Sequence, residues 1–246
     1  MLLFLPNIAN CERSGREEYK LRVMKDPQLI VSLTSWRGRI YSDLVHQNIF
    51  RLLRQKTGFS YLVTLVLSTD EFPKREAELP KPLLMMVEKE PLFNIVWVKN
   101  NTRALKKLVG AQLAFPELPI LTTDDDIAVK ESFVEEFMRC HLEHPKDIIS
   151  AHLWKHPTGI EVTGWARLFP PHSLAMLPDS MFMKYLHGLE DDMWNGMRAY
   201  LVGTQHRKLG SWPFEAEVEV GSALRDEYLR TNVATMLAEF VKGWKR

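Results

Sequence analysis

The sequence predicts an α/β domain built on a mostly parallel central sheet with flanking helices. Short apolar runs rich in β-branched residues alternate with segments in which apolar residues recur at helical spacing. That alternation is typical of parallel strands joined by helices. Polar residues close several of the apolar runs, as expected where strands end at a ligand-binding edge. A chain of 246 residues with 46% apolar content can bury one full core of this kind.

The first half of the chain repeats strand, loop and helix. The run at residues 28–34 (QLIVSLT) predicts a buried strand that ends where polar residues take over. Apolar residues then recur at helical spacing over residues 41–53, where Ser42 is placed as the N-cap. The other elements predicted in this half are strands at residues 61–67, 95–98 and 119–121 and a helix at residues 104–114.

The pattern changes in the second half of the chain. Gly, Pro and Trp are frequent over residues 159–171, so we expect irregular or antiparallel structure there. Residues 191–202 predict a helix with acidic residues in its first turn and Gly203 as its stop. The remaining elements predicted here are helices at residues 132–140 and 226–244 and an extended segment at residues 148–153.

Three polar strand ends are predicted to meet at one edge of the sheet. Ser35 follows the first strand, Asp70 follows the second, and the triplet Asp124-Asp125-Asp126 follows the strand at residues 119–121. Doubly wound sheets bind their ligands beyond the carboxyl ends of the strands. We therefore expect these side chains to line one crevice.

The amino-acid composition indicates which kinds of partner and which cellular compartment to expect for this protein. The 32 Lys and Arg residues nearly balance the 31 Asp and Glu residues, so no overall field would gather nucleic acid. The two cysteines lie far apart without metal-ligand spacing, which fits a reducing cytoplasm better than a disulfide framework. No apolar run approaches the roughly 18 residues of a spanning helix. The aromatic and basic residues 240–246 are a candidate for peripheral membrane contact.

The acidic triplet is the strongest indication of chemistry. Three consecutive carboxylates repel one another, so they need solvent or a compensating cation. Mg²⁺ and Mn²⁺ prefer oxygen ligands and are often held by one or two carboxylates together with substrate phosphates. A solvated acidic turn is the alternative, but the position after a buried strand favours a metal site.

A second acidic cluster and two tryptophans come later in the chain. Asp191 and Asp192 follow Glu190 at the start of a predicted helix, where capping explains one or two carboxylates and a general base is the other interpretation. Trp154 and Trp165 lie between the two acidic clusters. Aromatic faces stack on sugar rings, but tryptophan also fills cores, and we expect one of the two in the core.

These motifs together resemble a family of bacterial glycosyltransferases of surface polysaccharide synthesis. The resemblance rests on residues 30–36, on residues 123–127, and on residues 164–171 followed by 191–194, in that order. It covers about residues 28–203 and implies the GT-A fold. It divides the chain into an N-terminal arm at residues 1–26 and one domain at residues 27–246, whose nucleotide-sugar half is residues 27–130 and whose acceptor half is residues 131–246.

The resemblance implies a Mn²⁺- or Mg²⁺-dependent donor site at the triplet. Asp126 would be the direct metal ligand, and Asp124 would lie near the metal or the ribose. Asp125 would belong to the nucleotide-sugar site with a less defined role. A late histidine ligates the metal in many GT-A enzymes, but here only His206 is available, in a predicted loop, and we leave it out of the metal set as a solvated residue.

Further residues would line the nucleotide pocket by the same resemblance. Thr34, Ser35 and Arg39 follow the first strand, and Asp70, after the second, would reach the base. Lys107 matches a lysine near the diphosphate, although a solvated helix face explains it equally well.

On the acceptor side, the resemblance implies Asp192 as the catalytic base and Asp191 as a ligand of acceptor hydroxyls. The implied reaction moves a sugar from a nucleoside diphosphate sugar to a hydroxyl of a glycan or glycolipid, with inversion by direct displacement. Retention stays an alternative. The expected place is the cytoplasm, at or near the inner face of the membrane.

Two other functions would also place carboxylates at strand ends. A metal-dependent phosphohydrolase or nucleotidyltransferase is the first, although the sequence has no GxxxxGK phosphate-binding loop. A non-catalytic carbohydrate-binding protein on the same fold is the second. The presence of both acidic clusters disfavours the second alternative.

Overall fold

The computed structural model describes residues 26–155, 160–186, 188 and 190–217. Nearly all of the predicted N-terminal arm and the whole predicted helix at residues 226–244 lie outside these residues. The proposed division into two halves therefore stays a prediction.

A seven-stranded mixed sheet forms the centre of the fold. Its strand order is β3-β2-β1-β4-β7-β6-β8, and the first four of these strands are parallel. β7 pairs antiparallel with both β4 and β6, which confirms the antiparallel structure expected over residues 159–171. A separate ribbon pairs β5 with β9. The strands are β1 (Leu29–Thr34), β2 (Tyr61–Ser68), β3 (Phe93–Val98), β4 (Ile120–Thr122), β5 (Ile127–Val129), β6 (Ile148–Lys155), β7 (Glu161–Phe169), β8 (His206–Lys208) and β9 (Phe214–Glu217).

Six helices flank the sheet in the described part of the chain. Ser42 occupies the predicted N-cap position of the first helix, but its side chain makes no capping hydrogen bond. The helix predicted at residues 104–114 begins with a 3₁₀ turn at Arg103–Leu105. Among the described residues, no helix is long and apolar enough to cross a bilayer. The helices are α1 (Asp43–Leu53), α2 (Lys81–Lys89), α3 (Lys106–Ala114), α4 (Phe133–Glu143), α5 (Asp179–Leu186) and α6 (Asp191–Val202).

Helix α3 lies very close to the parallel strands. A β-carbon on Gly110 would come within 2.4 Å of Val66 Cγ1, so only glycine permits this approach. Ser32 of β1 donates a 2.5 Å hydrogen bond to the carbonyl of Lys107. These contacts bury the first turn of α3 at the carboxyl edge of the sheet, where Lys106 and Lys107 are each only 2% exposed.

Helix α6 packs equally closely on β7. A β-carbon on Gly196 would lie 2.3 Å from the carbonyl oxygen of Glu161. The helix ends at Gly203, which adopts a left-handed conformation with φ of 76°, as its predicted role as a stop requires. This packing holds the acidic first turn of α6 against the inner residues of β7.

We predict that Gly196→Ala destabilises the protein by about 1–3 kcal/mol, the usual cost of overpacking, because the backbone of β7 must move. Alanine favours helix over glycine, so any net loss of stability reports the clash. Urea denaturation measures the effect. Gly58→Ala is the matched control, since a β-carbon there meets nothing within 4 Å. Equal stability of the two variants would contradict this account of the packing.

Candidate active site

The acidic triplet lies in the turn between β4 and β5, held from two sides. The Thr123 amide donates to the carbonyl of Ser32 in β1 at 3.0 Å. The side chain of Asn48, buried on α1, donates to the carbonyl of Asp125 at 2.8 Å. The turn is therefore anchored to the sheet and to α1, which sets the directions of its three carboxylates.

Arg39 neutralises one side of the triplet. Its Nη1 lies 2.6 Å from Asp125 Oδ1 and 2.9 Å from Asp126 Oδ2. Burial alone would lower the pKa of Arg39, but the two aspartates outweigh it and raise that pKa. Burial and the neighbouring Asp124 raise the pKa of Asp126 to about 6, against the opposing effect of Arg39. Negative charge therefore remains in excess around Asp126.

Lys107 joins the two acidic clusters. Its Nζ lies 2.5 Å from Asp124 Oδ1 and 3.8 Å from Asp191 Oδ2. Burial would lower the pKa of this ammonium, but Asp124 and Asp191 outweigh burial and raise it. The buried position rules out the solvated helix face that was the alternative interpretation of this lysine.

Arg167 of β7 is the main site residue that the sequence analysis missed. It is 1% exposed, its Nη2 lies 2.8 Å from Asp191 Oδ2, and its Nη1 donates to Asp192 Oδ1. Burial would lower the pKa of Arg167, and the two aspartates raise it. The available signal was a single arginine within the apolar run at residues 166–169, because a buried arginine needs an anionic partner.

Asp192 combines a fixed position with access from outside. Its side chain is 29% exposed although Arg167 holds one of its oxygens. Burial raises the pKa of Asp192, Asp191 adds to that rise, and Arg167 opposes it. Glu190 occupies the N-cap position of α6, and its side chain makes no capping hydrogen bond. Asp191 and Asp192 follow the cap in the first turn of the helix, where both form ion pairs with Arg167.

Thr34 and Ser35, at the end of β1, have different surroundings. Ser35 is 3% exposed and lies close enough to Asp125 to lower the pKa of that carboxyl, although burial outweighs this effect and raises it. The Thr34 hydroxyl donates to the carbonyl of Val66 in β2 at 2.7 Å. The structure thus brings Ser35 to the triplet, whereas Thr34 joins two strands. Nucleotide contact by either residue stays a prediction.

The loop after β2 contributes a buried ion pair beside the predicted Asp70. Asp70 is exposed, and its carboxylate accepts from the Asn101 amide at 3.3 Å, so it links the loop after β2 to the loop after β3. The adjacent Glu71 Oε2 lies 3.6 Å from Nζ of Lys106, which is also close enough to Asp125 to feel its charge. Burial lowers the pKa of Lys106. No pattern in the sequence indicates this pair.

The structure corrects the expectation for His206. The residue begins strand β8 instead of lying in a loop, and its side chain is 4% exposed instead of solvated. Its Nδ1 lies 3.3 Å from Glu161 Oε2. Burial lowers the pKa of His206, with Glu161 acting in the opposite direction. His206 takes this position because β8 pairs with β6, and such pairing leaves no periodic pattern in the sequence.

The triplet suits a metal ion shared with a substrate. Within the part of the chain that the structure describes, no three Asp, Glu, His or Cys side chains converge as a complete metal site. Asp124 and Asp126 supply carboxylate oxygens, and burial together with the charge of Asp124 raises the pKa of Asp126, an unfavourable state of the carboxylate that a bound cation would relieve. Mg²⁺ and Mn²⁺ commonly take one or two carboxylates and complete their coordination with phosphate oxygens and water. The residues present fit such a shared site.

We predict that Glu190 makes the stability of the protein fall as the pH rises. Burial raises the pKa of Glu190 from 4.5 to about 7, with Asp192 and Asp191 adding to the rise. The folded protein thus holds this proton more tightly than the unfolded chain does, and that stabilisation is lost as the pH rises through the folded pKa. Between roughly pH 5 and pH 8, the wild type should lose about 1–3 kcal/mol relative to Glu190→Gln.

Chemical denaturation across that pH range measures the difference. Glu88→Gln, at an exposed position on α2, is the control and should track the wild type. Parallel pH profiles of the wild type and Glu190→Gln would show that Glu190 titrates alike in the folded and unfolded states.

No protein-family model matches the sequence, and no curated protein matches it. The fold, in contrast, is similar to solved structures. The mannosyltransferase PcManGT from Pyrobaculum calidifontis, in complex with GDP-Man and Mn²⁺, has a TM-score of 0.56 at 13% identity over 88% of this chain and 64% of that chain. TarS of S. aureus has a TM-score of 0.51 at 16% identity over 87% of this chain and 43% of that chain.

The crystal structure of S. aureus TarS 1–349 in complex with UDP-GlcNAc has a TM-score of 0.50 at 13% identity, over 80% of this chain and 60% of that chain. This chain therefore spans less than two thirds of each of these proteins. At such low identity the likeness is one of fold. The chain has an α/β fold with a mixed, mostly parallel sheet of the GT-A type, as predicted, and that fold occurs in proteins that bind nucleotide sugars.

Proposed function

We propose that this protein transfers a sugar from a nucleoside diphosphate sugar to a hydroxyl group of a glycan or glycolipid. The observation that carries the proposal is the buried ammonium of Lys107, which contacts both the triplet after β4 and the acidic turn of α6. One network thus holds a candidate metal and diphosphate site next to a candidate base. Similar folds solved with UDP-GlcNAc and GDP-Man support this class of donor.

The donor diphosphate is assigned to the crevice beside the triplet. Asp124 and Asp126 would hold Mn²⁺ or Mg²⁺, which when bound neutralises the charge that develops on the leaving diphosphate. Arg39 and Lys107 already lie beside these carboxylates, so phosphate oxygens placed there have two cationic partners.

The remaining donor contacts are assigned to the edge of the crevice. Ser35 lies beside Asp125, whereas Thr34 is the last residue of β1 and Asp70 follows β2. The nucleotide is therefore assigned to the side formed by these two strands.

The acceptor hydroxyl is assigned to the oxygen of Asp192 that Arg167 does not hold. Arg167 engages Oδ1 and fixes the carboxylate, so Oδ2 is available for a proton. As the acceptor oxygen bonds to the anomeric carbon, its proton passes to Asp192 and the bond from that carbon to the diphosphate breaks. The raised pKa of Asp192 favours base catalysis near neutral pH. Direct displacement of this kind inverts the anomeric centre.

Asp191 is assigned to the acceptor side with a second, positioning role. Its carboxylate is shared between Lys107 and Arg167 and is 14% exposed. It therefore holds the arginine that orients Asp192 while one edge still faces the crevice. The resemblance to enzymes of bacterial surface polysaccharide synthesis supports a glycan or glycolipid acceptor and a location at the cytoplasmic face of the membrane.

We predict that Asp126→Ala abolishes the Mn²⁺-dependent binding of UDP and GDP without lowering the melting temperature. The variant removes a carboxylate that its neighbours crowd, and Arg39 keeps Asp125 as a partner. Calorimetric titration with and without chelator measures the binding. Asp43→Ala, which removes an exposed carboxylate on α1, should bind normally. Unchanged affinity and unchanged chelator response in Asp126→Ala would remove the triplet from the metal site.

We predict that Asp192→Asn keeps nucleotide and Mn²⁺ affinity near normal but lowers the transfer rate by roughly 10²- to 10⁴-fold, the usual contribution of a general base. The amide oxygen still accepts from Arg167, so the fold should persist. Melting temperature, donor affinity and initial rate are measured on one preparation, with transfer followed by product analysis. Near-normal turnover would exclude Asp192 as the base, and release of phosphate or sugar phosphate without an acceptor would favour a hydrolase.

A further inference from the structure

Four aromatic rings form a continuous row on the face of the antiparallel strands. We call His152, Trp154, Trp165 and Trp212 the aromatic strip. The His152 ring centroid lies 5.2 Å from that of Trp154 and 4.8 Å from that of Trp165. Trp165 in turn lies 4.8 Å from Trp212, edge to face. The row therefore runs without interruption from β6 across β7 to the segment before β9.

One end of the aromatic strip lies beside the proposed base. A β-carbon on Gly164 would lie 3.1 Å from the indole ring of Trp154 and 3.3 Å from Asp192 Oδ2. Gly164 therefore brings the Trp154 ring and the carboxylate oxygen that Arg167 does not hold close together, with no side chain between them. A ligand that lies against Trp154 would thus have Asp192 beside it.

The aromatic strip is open to solvent at both ends. Trp154 is 39% exposed and Trp212 is 44% exposed, whereas Trp165 packs partly against the main core, as expected for one of the two tryptophans between the acidic clusters. Large aromatic side chains exposed in a row are a feature of binding sites.

The backbone that presents the strip is strained. Trp165 has a φ of 64°, the left-handed region, within a strand. The register of β6 and β7 also shifts between Ser150 and His152. For a bulky residue such a conformation is strained, and strain of this kind tends to occur at functional sites. The indole of Trp165 lies between the rings of His152 and Trp212.

We propose that the aromatic strip is the acceptor subsite and binds a carbohydrate along its ring faces. Sugar rings present apolar C–H faces and a rim of hydroxyl groups. The exposed rings of Trp154 and Trp212 match the faces, and the adjacent carboxylate matches a hydroxyl, the usual combination of apolar lining with a few polar groups. The identification of the bound sugar as the acceptor depends on the proposed function, but binding of a carbohydrate does not.

The test measures glycan binding and nucleotide binding separately. Saturation-transfer NMR with neutral oligosaccharides of hexoses and N-acetylhexosamines, without nucleotide, should detect binding to the wild type. Trp154→Ala and Trp212→Ala should each weaken that binding by about 10-fold, as expected when an aromatic ring that contacts the ligand is removed. Trp154→Phe should keep most of the affinity, because it keeps an aromatic face. Tyr200→Ala, at a 58% exposed aromatic residue outside the strip, should have no effect.

UDP and GDP binding in the presence of Mn²⁺ is measured on the same variants and should not change. The proposal is overturned if none of the oligosaccharides binds the wild type, or if both tryptophan-to-alanine variants bind them with unchanged affinity. If oligosaccharide binding depends on the strip but the wild type binds neither nucleotide, the strip stands as a carbohydrate site and the transferase proposal fails. If the wild type binds nucleotide but both tryptophan-to-alanine variants bind the oligosaccharides as well as the wild type does, the aromatic strip is not the carbohydrate site, and the transferase proposal stands.

Discussion

The buried ammonium of Lys107 is the interaction on which the candidate site depends. An ammonium group taken out of water is strongly destabilising unless anions and hydrogen bonds compensate it. Here Asp124 and Asp191 supply the compensation from opposite sides of the crevice. The lysine is buried because Gly110 lets α3 lie directly on the strands. Close packing of one helix thereby fixes the distance between two acidic clusters that are far apart in the chain.

Two arginines extend this arrangement outward. Arg39, in the loop after β1, forms ion pairs with Asp125 and Asp126. Arg167, on β7, forms ion pairs with Asp191 and Asp192. Each carboxylate of the site therefore has a fixed direction before any ligand binds, and preorganised charges of this kind need no reorganisation during a reaction. On the proposed function, the triplet serves the diphosphate, Asp192 serves the acceptor hydroxyl, and the aromatic strip continues from Asp192 along the acceptor.

Much of the fold could be predicted because buried strands and long helices leave local signals. The runs at β1 and β2 are mostly apolar and rich in β-branched residues, and Gly203 marks the end of α6. Helices α2 and α5 were not predicted, since they are nine and eight residues long and give few helical repeats. Strands of three or four residues, such as β5, β8 and β9, are too short to show alternation, and only pairing with a partner defines them.

The sequence by itself determined which carboxylates could act, because three consecutive aspartates after a buried strand and an acidic pair before an apolar helix are local patterns. It also indicated the parallel sheet. Only the tertiary structure decided which charged groups are paired. Lys107 lies between Asp124 and Asp191, Arg167 pairs with Asp191 and Asp192, and His206 lies beside Glu161. The physical reason is that an ion pair depends on the distance between two groups in space. That distance is set by the strand order, which places β7 next to β4 and cannot be read from the periodicity of the sequence.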